Sequence, residues 1–412
     1  MTPEKSVCIY FQMHQPYRLR WFWPDRTAGF DRYFDAQANE RIFDKVAHKC
    51  YLPANELLLR LIDDHKGEFR FSVSVTGTML SQCERWEPDV LDGLQQMSAS
   101  GCVEFLDETY YHSLSSLFED KTEFIEQVHE HRNSVYQLLG CKPVMFRNTE
   151  LLYNNSIANT IKAMGYKGIM TEGVDHVLGW RSPNFVYRAK DNDLGVLMRN
   201  YKLSDDIGYR FSARWWSEYP LTAGKWASWA SDADGDVINI FMDYETFGEH
   251  QWEDTGIFQF MRALPGEVLA RNLRFDTPSE VLERFKPVGE IDVGDFSTIS
   301  WADLERDHSA WLGNDMQRRC FQELMLLESH VKKTCDPEII QIWKHLLTSD
   351  HYYYMCTKWL ADGDVHSYFS IHSSPYDAAV NFMAIIMDFK AKVFERLKQS
   401  SPRPDRPGYP VL

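Results

Sequence analysis

Short apolar or alternating runs recur between longer amphipathic stretches, up to about residue 250 of the chain. Short runs that alternate with helix-length segments are typical of βα units that build a parallel sheet. Polar residues suited to loops follow each run. The pattern predicts seven strands and therefore a barrel, with strands at Val7–Met13, Phe69–Thr76, Val103–Asp107, Val144–Thr149, Gly168–Thr171, Gly195–Asn200 and Val237–Tyr244.

The segments between the runs carry apolar residues at helical spacing. Ala38–Asp64 and Thr122–Leu139 are the clearest of them, and both are expected to pack outside the sheet. The sixth strand is predicted to belong to a hairpin, because Asn184–Lys190 and Leu194–Tyr201 flank a turn-forming Asp-Asn-Asp cluster.

Strand signals fade after about residue 300, and three long amphipathic helices are predicted at Asp315–Lys333, Pro337–Thr348 and Pro375–Lys398. The predicted organisation is an α/β barrel over residues 1–300, a helical bundle over residues 301–400 and an extended tail over residues 401–412.

Composition narrows the possible partners. The 412 residues include 44 Lys and Arg against 60 Asp and Glu, a formal net charge of −16. This charge repels phosphate backbones and anionic lipid surfaces, so neither nucleic acid nor a membrane is an expected partner. The eight cysteines form no Cys-x-x-Cys pair and are interpreted as reduced thiols. No apolar leader or span is found, which predicts a cytoplasmic protein. The oligomeric state is left open.

Carboxylates stand at the carboxyl ends of several predicted strands, where the functional groups of βα barrels gather. Glu150 follows the fourth strand and Asp243 ends the seventh. A retaining glycosidase needs one ionised and one protonated carboxyl about 5–5.5 Å apart. The two residues suit these roles if Arg147 helps to keep Glu150 ionised and if burial or neighbouring carboxylates keep Asp243 protonated.

The strand-end motifs resemble glycoside hydrolase family 57, and within it the α-amylase-like members. The motifs are His14-Gln15-Pro16, Gly101–Glu104, Phe146–Glu150 and Met242–His250. The resemblance implies an incomplete (β/α)7 barrel followed by a helical domain that lines one side of the cleft. It also implies that Glu150 is the nucleophile and Asp243 the general acid/base.

The resemblance further implies an α-glucan substrate, such as starch, glycogen or maltooligosaccharides, with no cofactor and no metal ion. His14 and Glu104 match positions that hold the sugar in the −1 subsite, and Trp301 is assigned to the family's tryptophan-bearing fifth region. The predicted substrate-contacting residues are His14, Glu104, Arg147, Asp205, Glu245, His250, Trp301 and, from the bundle, Asp350 and His351.

Other interpretations remain open. Some transferases of the family carry tryptophan where this chain has His250, and this difference leaves the choice between hydrolysis and transfer open. A 4-α-glucanotransferase is therefore the alternative on the same scaffold. A metal-dependent polysaccharide deacetylase would use His14, His112 and Asp243 to hold a cation. A non-catalytic glucan-binding protein would bind without turnover, with Glu150 as a structural ion-pair partner. His129 and His131 lie two apart on a helix and on different faces, so they are poor metal ligands and are interpreted as surface residues.

Overall fold

The computed structural model describes residues 5–358 and 370–400, so the predicted tail at 401–412 lies outside the described residues. The chain divides into two compact units. The first holds Met1–Pro16 and Gln37–Ala310, and the second holds Tyr17–Ala36 and Trp311–Leu412. The division therefore falls at residue 310 instead of 300, and an early segment joins the second unit. Of the described helices, none combines the length and the apolar character that a bilayer span needs.

The first unit contains a strand at each of the seven predicted runs, which confirms the α/β barrel. Three further short strands complete the set. The strands are β1 Ser6–Met13, β2 Phe71–Val75, β3 Val103–Phe105, β4 Met145–Arg147, β5 Gly168–Glu172, β6 Tyr187–Ala189, β7 Gly195–Arg199, β8 Val237–Asp243, β9 Arg274–Phe275 and β10 Glu290–Ile291.

The strands run parallel in the orders β3-β2-β1-β8 and β4-β5-β7. A parallel bridge between Asp107 and Phe146 links β3 to β4. The Nε of Arg199 donates to the carbonyl of Phe241 at 2.8 Å and links β7 to β8. Seven parallel strands therefore follow one another around the barrel. The predicted hairpin is confirmed, since β6 pairs antiparallel with β7. The sequence did not predict β9 and β10, which are too short to show alternation.

The register of the strands brings their carboxyl ends to one level. Gln12 on β1 lies beside Asp243 on β8, and Met13 lies beside Val75 on β2. The side chains that follow these ends are therefore delivered to the same face of the barrel. An apolar interior below them includes Cys8, Tyr10, Leu106, Met145, Met170, Leu197 and Phe241.

Helices lie between the strands of the first unit. They are Ala36–Val46, Leu52–Asp64, Gly77–Trp86, Pro88–Ala99, Thr122–Leu139, Asn155–Ala163, Asp175–Leu178, Tyr201–Gly208, Ala223–Asp232, Ile257–Leu269 and Pro278–Arg284. The helix predicted at Ala38–Asp64 is interrupted by a π-helical stretch, Ala47–Tyr51. Pro53 follows that stretch and has no N–H to donate to the carbonyl four residues earlier, which explains the interruption.

The interpretation of His131 as a surface residue is wrong. Its side chain is fully buried in the helix Thr122–Leu139, where its Nδ1 pairs with the carboxylate of Asp107 and its Nε2 contacts the carbonyl of Val75 at 2.8 Å. His131 continues the buried stripe of this helix, so the helical spacing itself carried the signal.

The second unit contains the three predicted long helices. Its helices are Asp315–Lys333, Pro337–Leu346, Ser349–Tyr353 and Pro375–Ser400, with Ser309–Leu312 at the division between the units. Arg32 and Tyr33 both contact the carboxylate of Asp388, at 2.8 and 2.7 Å. Trp343 donates its indole N–H to the carbonyl of Leu324 at 2.9 Å. These contacts tie the segment 17–36 and the helices into one core.

We predict that Gly248→Ala destabilises the first unit strongly. Gly248 has φ 114, and a Cβ there would lie 2.1 Å from the carbonyl oxygen of Lys49. The expected loss of unfolding free energy in urea titrations is on the order of 2–4 kcal/mol. Gly140→Ala is the matched control, because Gly140 has φ 70 but no neighbour within 4 Å, so strain alone costs roughly 1–2 kcal/mol. Equal losses in the two variants would contradict the steric account.

Candidate active site

Glu150 lies just after β4, in a turn with unusual backbone geometry. Its φ is 55 and that of Leu151 is 52, both in the left-handed region where residues other than glycine are uncommon. Both carboxylate oxygens are held: Oε1 pairs with His112 Nε2 at 3.2 Å, and Oε2 accepts from Trp301 Nε1 at 2.8 Å. The side chain is 18% exposed, so the fixed carboxylate still reaches solvent.

The surroundings of Glu150 favour its ionised form. Burial alone would raise the pKa of this carboxyl, but the hydrogen bond and charge of His112, the charge of Arg147 and the indole N–H of Trp301 together lower it. Glu150 is therefore an anion at neutral pH, as a nucleophile requires.

Asp243 is the last residue of β8, and its surroundings favour the protonated form of its carboxyl. Burial raises its pKa, and the negative charge of Glu150 raises it further, whereas His250, when protonated, and the charge of Arg147 act in the other direction. Asp243 therefore keeps its proton to higher pH than an ordinary aspartate. The structure brings Glu150 and Asp243 close enough to interact electrostatically, and their environments move the two pKa values apart.

Two residues that were not assigned to the substrate site are connected to Glu150, His112 directly and Glu108 through His112. His112 Nδ1 pairs with Glu108 Oε2 at 3.2 Å, and the ring of His112 stacks on His14 with centroids 4.1 Å apart. His14 Nδ1 contacts Thr76 Oγ1 at 3.0 Å, which fixes its ring. His112 has φ 49 and is a third left-handed residue in the same site. The polar run after β3 was a visible signal for Glu108 and His112.

The pair formed by Glu108 and His112 is charged at neutral pH. Burial opposes the ionisation of Glu108, yet His112, His131 and Arg147 lower its pKa to about 2. Burial would likewise lower the pKa of His112, but the hydrogen bonds to Glu108 and Glu150 raise it to about 9. Since both ring nitrogens are taken up by carboxylates, His112 has no lone pair for the cation that a deacetylase would require.

The prediction that Glu104 lies in the site is wrong. Its carboxylate accepts a hydrogen bond from the backbone N–H of Ser279 at 2.8 Å, at the start of the helix Pro278–Arg284. Four residues of extended chain separate Glu104 from Glu108, a distance of about 13 Å. Both residues fall on the same face of the strand, but only Glu108 stands at the level of the strand ends.

Arg147 and Trp301 form the side of the site next to Glu150. The guanidinium of Arg147 lies 4.9 Å from the ring centroid of Trp301, and that of Arg199 lies 5.8 Å from it. Arg147 is fully buried, and among the described residues no hydrogen-bond acceptor meets its three guanidinium nitrogens. It acts on Glu150 through its charge, as the sequence predicted, and Trp301 contacts Glu150 directly.

Asp205 is engaged by arginine side chains. Its carboxylate pairs with Arg199 at 2.5 Å and lies 3.9 Å from Arg306. Arg199 also pairs with Glu172 at 3.0 Å. This ion-pair network supports the Arg199 guanidinium beside Trp301, and a direct contact of Asp205 with a sugar stays a prediction.

Glu245 and His250 lie near Asp243, on the loop that follows β8. Glu245 is buried, accepts from the hydroxyl of Tyr51, and accepts from the backbone N–H of His14 at 3.4 Å. Burial and the charge of Asp243 raise the pKa of Glu245 to about 8, so it is mostly protonated at neutral pH. Burial lowers the pKa of His250, which is therefore neutral. The carboxyl group of Glu245 therefore helps to fix the backbone of His14.

The two residues predicted from the bundle lie in the second unit. His351 is buried there, with its Nε2 3.1 Å from the carbonyl of His345 and its ring near Phe34 and Phe382. The predicted sugar contact of His351 is wrong, because its ring is part of the core of that unit. Asp350 is half-buried in the same short helix, and its contact with a sugar stays a prediction.

Known proteins resemble the chain in sequence and in fold. Residues 8–294 match the model of Glycosyl hydrolase family 57. A Methanocaldococcus jannaschii protein with the provisional name alpha-amylase is 46% identical over 404 residues, covering 96% of this chain and 86% of its own length.

Two solved structures share the fold at low sequence identity. A branching enzyme of Pyrococcus horikoshii superimposes with a TM-score of 0.70 at 13% identity, covering 96% of this chain and 92% of its own. A 4-alpha-glucanotransferase of Thermococcus litoralis gives a TM-score of 0.57 at 17% identity and covers 85% of this chain. The chain spans about half of that transferase's length, 52%.

We predict that Glu245→Gln stabilises the protein increasingly as the pH rises. The folded pKa of about 8 exceeds the ordinary value of about 4.3, so the stability contributed by protonated Glu245 is full below about pH 4 and is lost as the pH rises through 8. Glutamine has no proton to lose. The unfolding free energy of the variant relative to wild type should therefore increase between pH 5 and pH 8, by about 1–4 kcal/mol in denaturant titrations.

Glu249→Gln provides a control of opposite sign. Burial opposes the ionisation of Glu249, but Lys49 and Lys45, at 3.0 and 3.1 Å, lower its pKa. Its contribution is therefore present above its unfolded pKa and is lost as the pH falls. Removing Glu249 should cost most at neutral pH and least in acid. A pH-independent difference for Glu245→Gln would show that Glu245 is not held protonated.

Proposed function

The chain belongs to glycosyl hydrolase family 57, and on that basis we propose that it is a retaining glycosidase that hydrolyses α-1,4-linked glucans. Glu150 is the nucleophile and Asp243 the general acid/base. The observation that supports these roles is the opposite effect of the site on two neighbouring carboxyls, because it favours an anion at Glu150 and a proton on Asp243.

The two carboxyls divide the reaction into two steps. In the first step Glu150 attacks the anomeric carbon while Asp243 protonates the departing glycosidic oxygen. In the second step Asp243, now ionised, takes a proton from water, and that water displaces Glu150 from the sugar. The hydrogen bonds from His112 and Trp301 hold Glu150 in one orientation, which lowers the entropic cost of the attack.

The substrate class rests on the family and on the 46% identical relative with the provisional name alpha-amylase. A transferase would form the same covalent intermediate and pass it to a sugar hydroxyl instead of water. Glu150 and Asp243 would serve both reactions, so the acceptor decides between them. We propose hydrolysis as the main reaction, with transfer as the outcome that product analysis can distinguish.

We expect Glu150→Gln to abolish turnover of soluble starch, because the amide cannot attack the anomeric carbon. Asp243→Asn should lower kcat by about 10²–10⁴-fold through loss of proton transfer. Both variants should still bind maltooligosaccharides in calorimetric titrations. Glu323→Gln is the matched control, since Glu323 is a buried carboxylate paired with Lys390 in the second unit. It should lose stability but keep turnover, whereas full activity of either site variant would refute the assignment.

The covalent step has its own test. A fluorinated glycosyl fluoride should leave a glycosyl adduct on the peptide that contains Glu150, detected by mass spectrometry after proteolysis. The Glu150→Gln variant should remain unlabelled. A label on Glu245 or Glu108 would move the nucleophile to that residue.

The choice of acceptor is visible in the products. Incubation with maltopentaose should give only shorter chains in a chromatogram if water is the acceptor. Chains longer than the substrate, formed beside shorter ones, would instead assign the protein as a glucanotransferase.

A further inference from the structure

Glu108, His112 and Glu150 form a continuous row of side chains that the two-carboxyl reaction does not by itself use. We propose that His112 is a positioning residue for Glu150, and that Glu108 keeps His112 in place as a permanent cation so that the nucleophile stays ionised and correctly oriented. This inference rests on the proposed function, because it takes Glu150 as the nucleophile.

With Glu108 and Glu150 both ionised, the hydrogen-bond pattern of the row requires a charged imidazole. His112 Nδ1 lies 3.2 Å from Glu108 Oε2, and His112 Nε2 lies 3.2 Å from Glu150 Oε1. An ionised carboxylate accepts hydrogen bonds but has none to donate, so both ring nitrogens must carry a proton. A neutral histidine would leave one of these contacts without a hydrogen.

Glu108 is anchored by a side chain from the end of β1. Its carboxylate accepts from Gln12 Nε2 at 3.1 Å. The amide of Gln12 is oriented in turn, because its Oε1 accepts from the hydroxyls of Tyr10 at 2.6 Å and Ser74 at 2.9 Å. The amide nitrogen therefore faces Glu108. A chain of donors and acceptors runs from the strands β1 and β2 to the nucleophile.

The ring of His112 has little freedom to turn away. One of its faces stacks on His14, with centroids 4.1 Å apart and planes inclined by 24°. Only 4% of its side chain is exposed. The left-handed backbone of His112, at φ 49, is the kind of local strain that persists where surrounding contacts fix a residue for function.

The charged and titratable groups around the row come from every neighbouring strand end. His14 faces His112 from β1, Arg147 faces both His112 and Glu150 from β4, and Asp243 faces Glu150 from β8. Glu245 and His250 act on Asp243 from the same side. His112 differs from these groups because it joins Glu150 to a second, fully buried carboxylate, that of Glu108. Its removal should therefore change the ionisation of Glu150 most.

The test is the pH dependence of inactivation by a fluorinated glycosyl fluoride. Fluoride departs without a proton from Asp243, so the acidic limb of the inactivation rate reports the ionisation of Glu150. In His112→Gln, where the side chain can still donate but carries no charge, this limb should move to higher pH by about one to three pH units.

Glu108→Gln should remove the positive charge of His112 without changing His112 itself. It leaves the ring of His112 in place but takes away the carboxylate that keeps the ring protonated. The limb should again move to higher pH, and the double variant should move it no further than His112→Gln alone. Additive movements would overturn the inference that Glu108 acts through His112. Because the two single variants test the row separately, one that does not fold leaves the other decisive.

His345→Gln is the matched control, since His345 is a buried histidine of the second unit. It should lower the melting temperature without moving the limb. An unmoved limb in folded His112→Gln or folded Glu108→Gln, with the label still on Glu150, would overturn the role of His112 and leave the proposed function intact. A label on another carboxylate would overturn the proposed function instead.

Discussion

The ion-paired hydrogen bond between His112 and Glu150 is the interaction on which the chemistry of the site depends. A buried carboxylate without a partner takes up a proton, because burial penalises its charged form. A protonated Glu150 cannot attack a sugar. His112, 3.2 Å away, offsets the penalty, and the N–H of Trp301 at 2.8 Å occupies the second oxygen. The site therefore holds Glu150, the proposed nucleophile, ionised and in one orientation before any substrate arrives.

The barrel makes this arrangement possible by bringing distant parts of the chain to one level. His112 follows β3 and Glu150 follows β4, and the bridge between Asp107 and Phe146 holds these two strand ends together. Trp301 comes from a segment about 150 residues later, yet its backbone N–H also donates to the carbonyl of Glu150 at 3.4 Å. Three left-handed residues, at 112, 150 and 151, mark the turns in which side-chain placement takes precedence over backbone preference.

The parts of the structure that follow from local periodicity were predictable, and the parts that depend on depth or distance were not. The seven strands follow from apolar runs, and the proposed catalytic pair follows from the polar residues after two of them. Glu104 was assigned by its match to a family motif, and neither that match nor alternation gives the height of a residue along a strand, while Glu108 shares the same face. His131 continues the stripe of Phe124, Val128 and Val135, so helical spacing was sufficient to bury it. The inclusion of residues 17–36 in the second unit depends on contacts such as Arg32 with Asp388, 356 positions apart, which no local pattern shows.

The distribution of cations explains why neighbouring carboxyls in one site divide into bases and acids. His112 and Arg147 stand on the side of Glu108 and Glu150, where they outweigh burial and lower both pKa values, that of Glu108 to about 2. At Asp243 and Glu245, burial and the charge of a neighbouring carboxylate dominate, although Arg147 and His112 act against them at Asp243, and the pKa of Glu245 reaches about 8. Burial raises the pKa of all four groups, so burial alone cannot distinguish them. On the proposed assignment, this uneven effect of positive charge decides which carboxyl attacks and which one donates the proton.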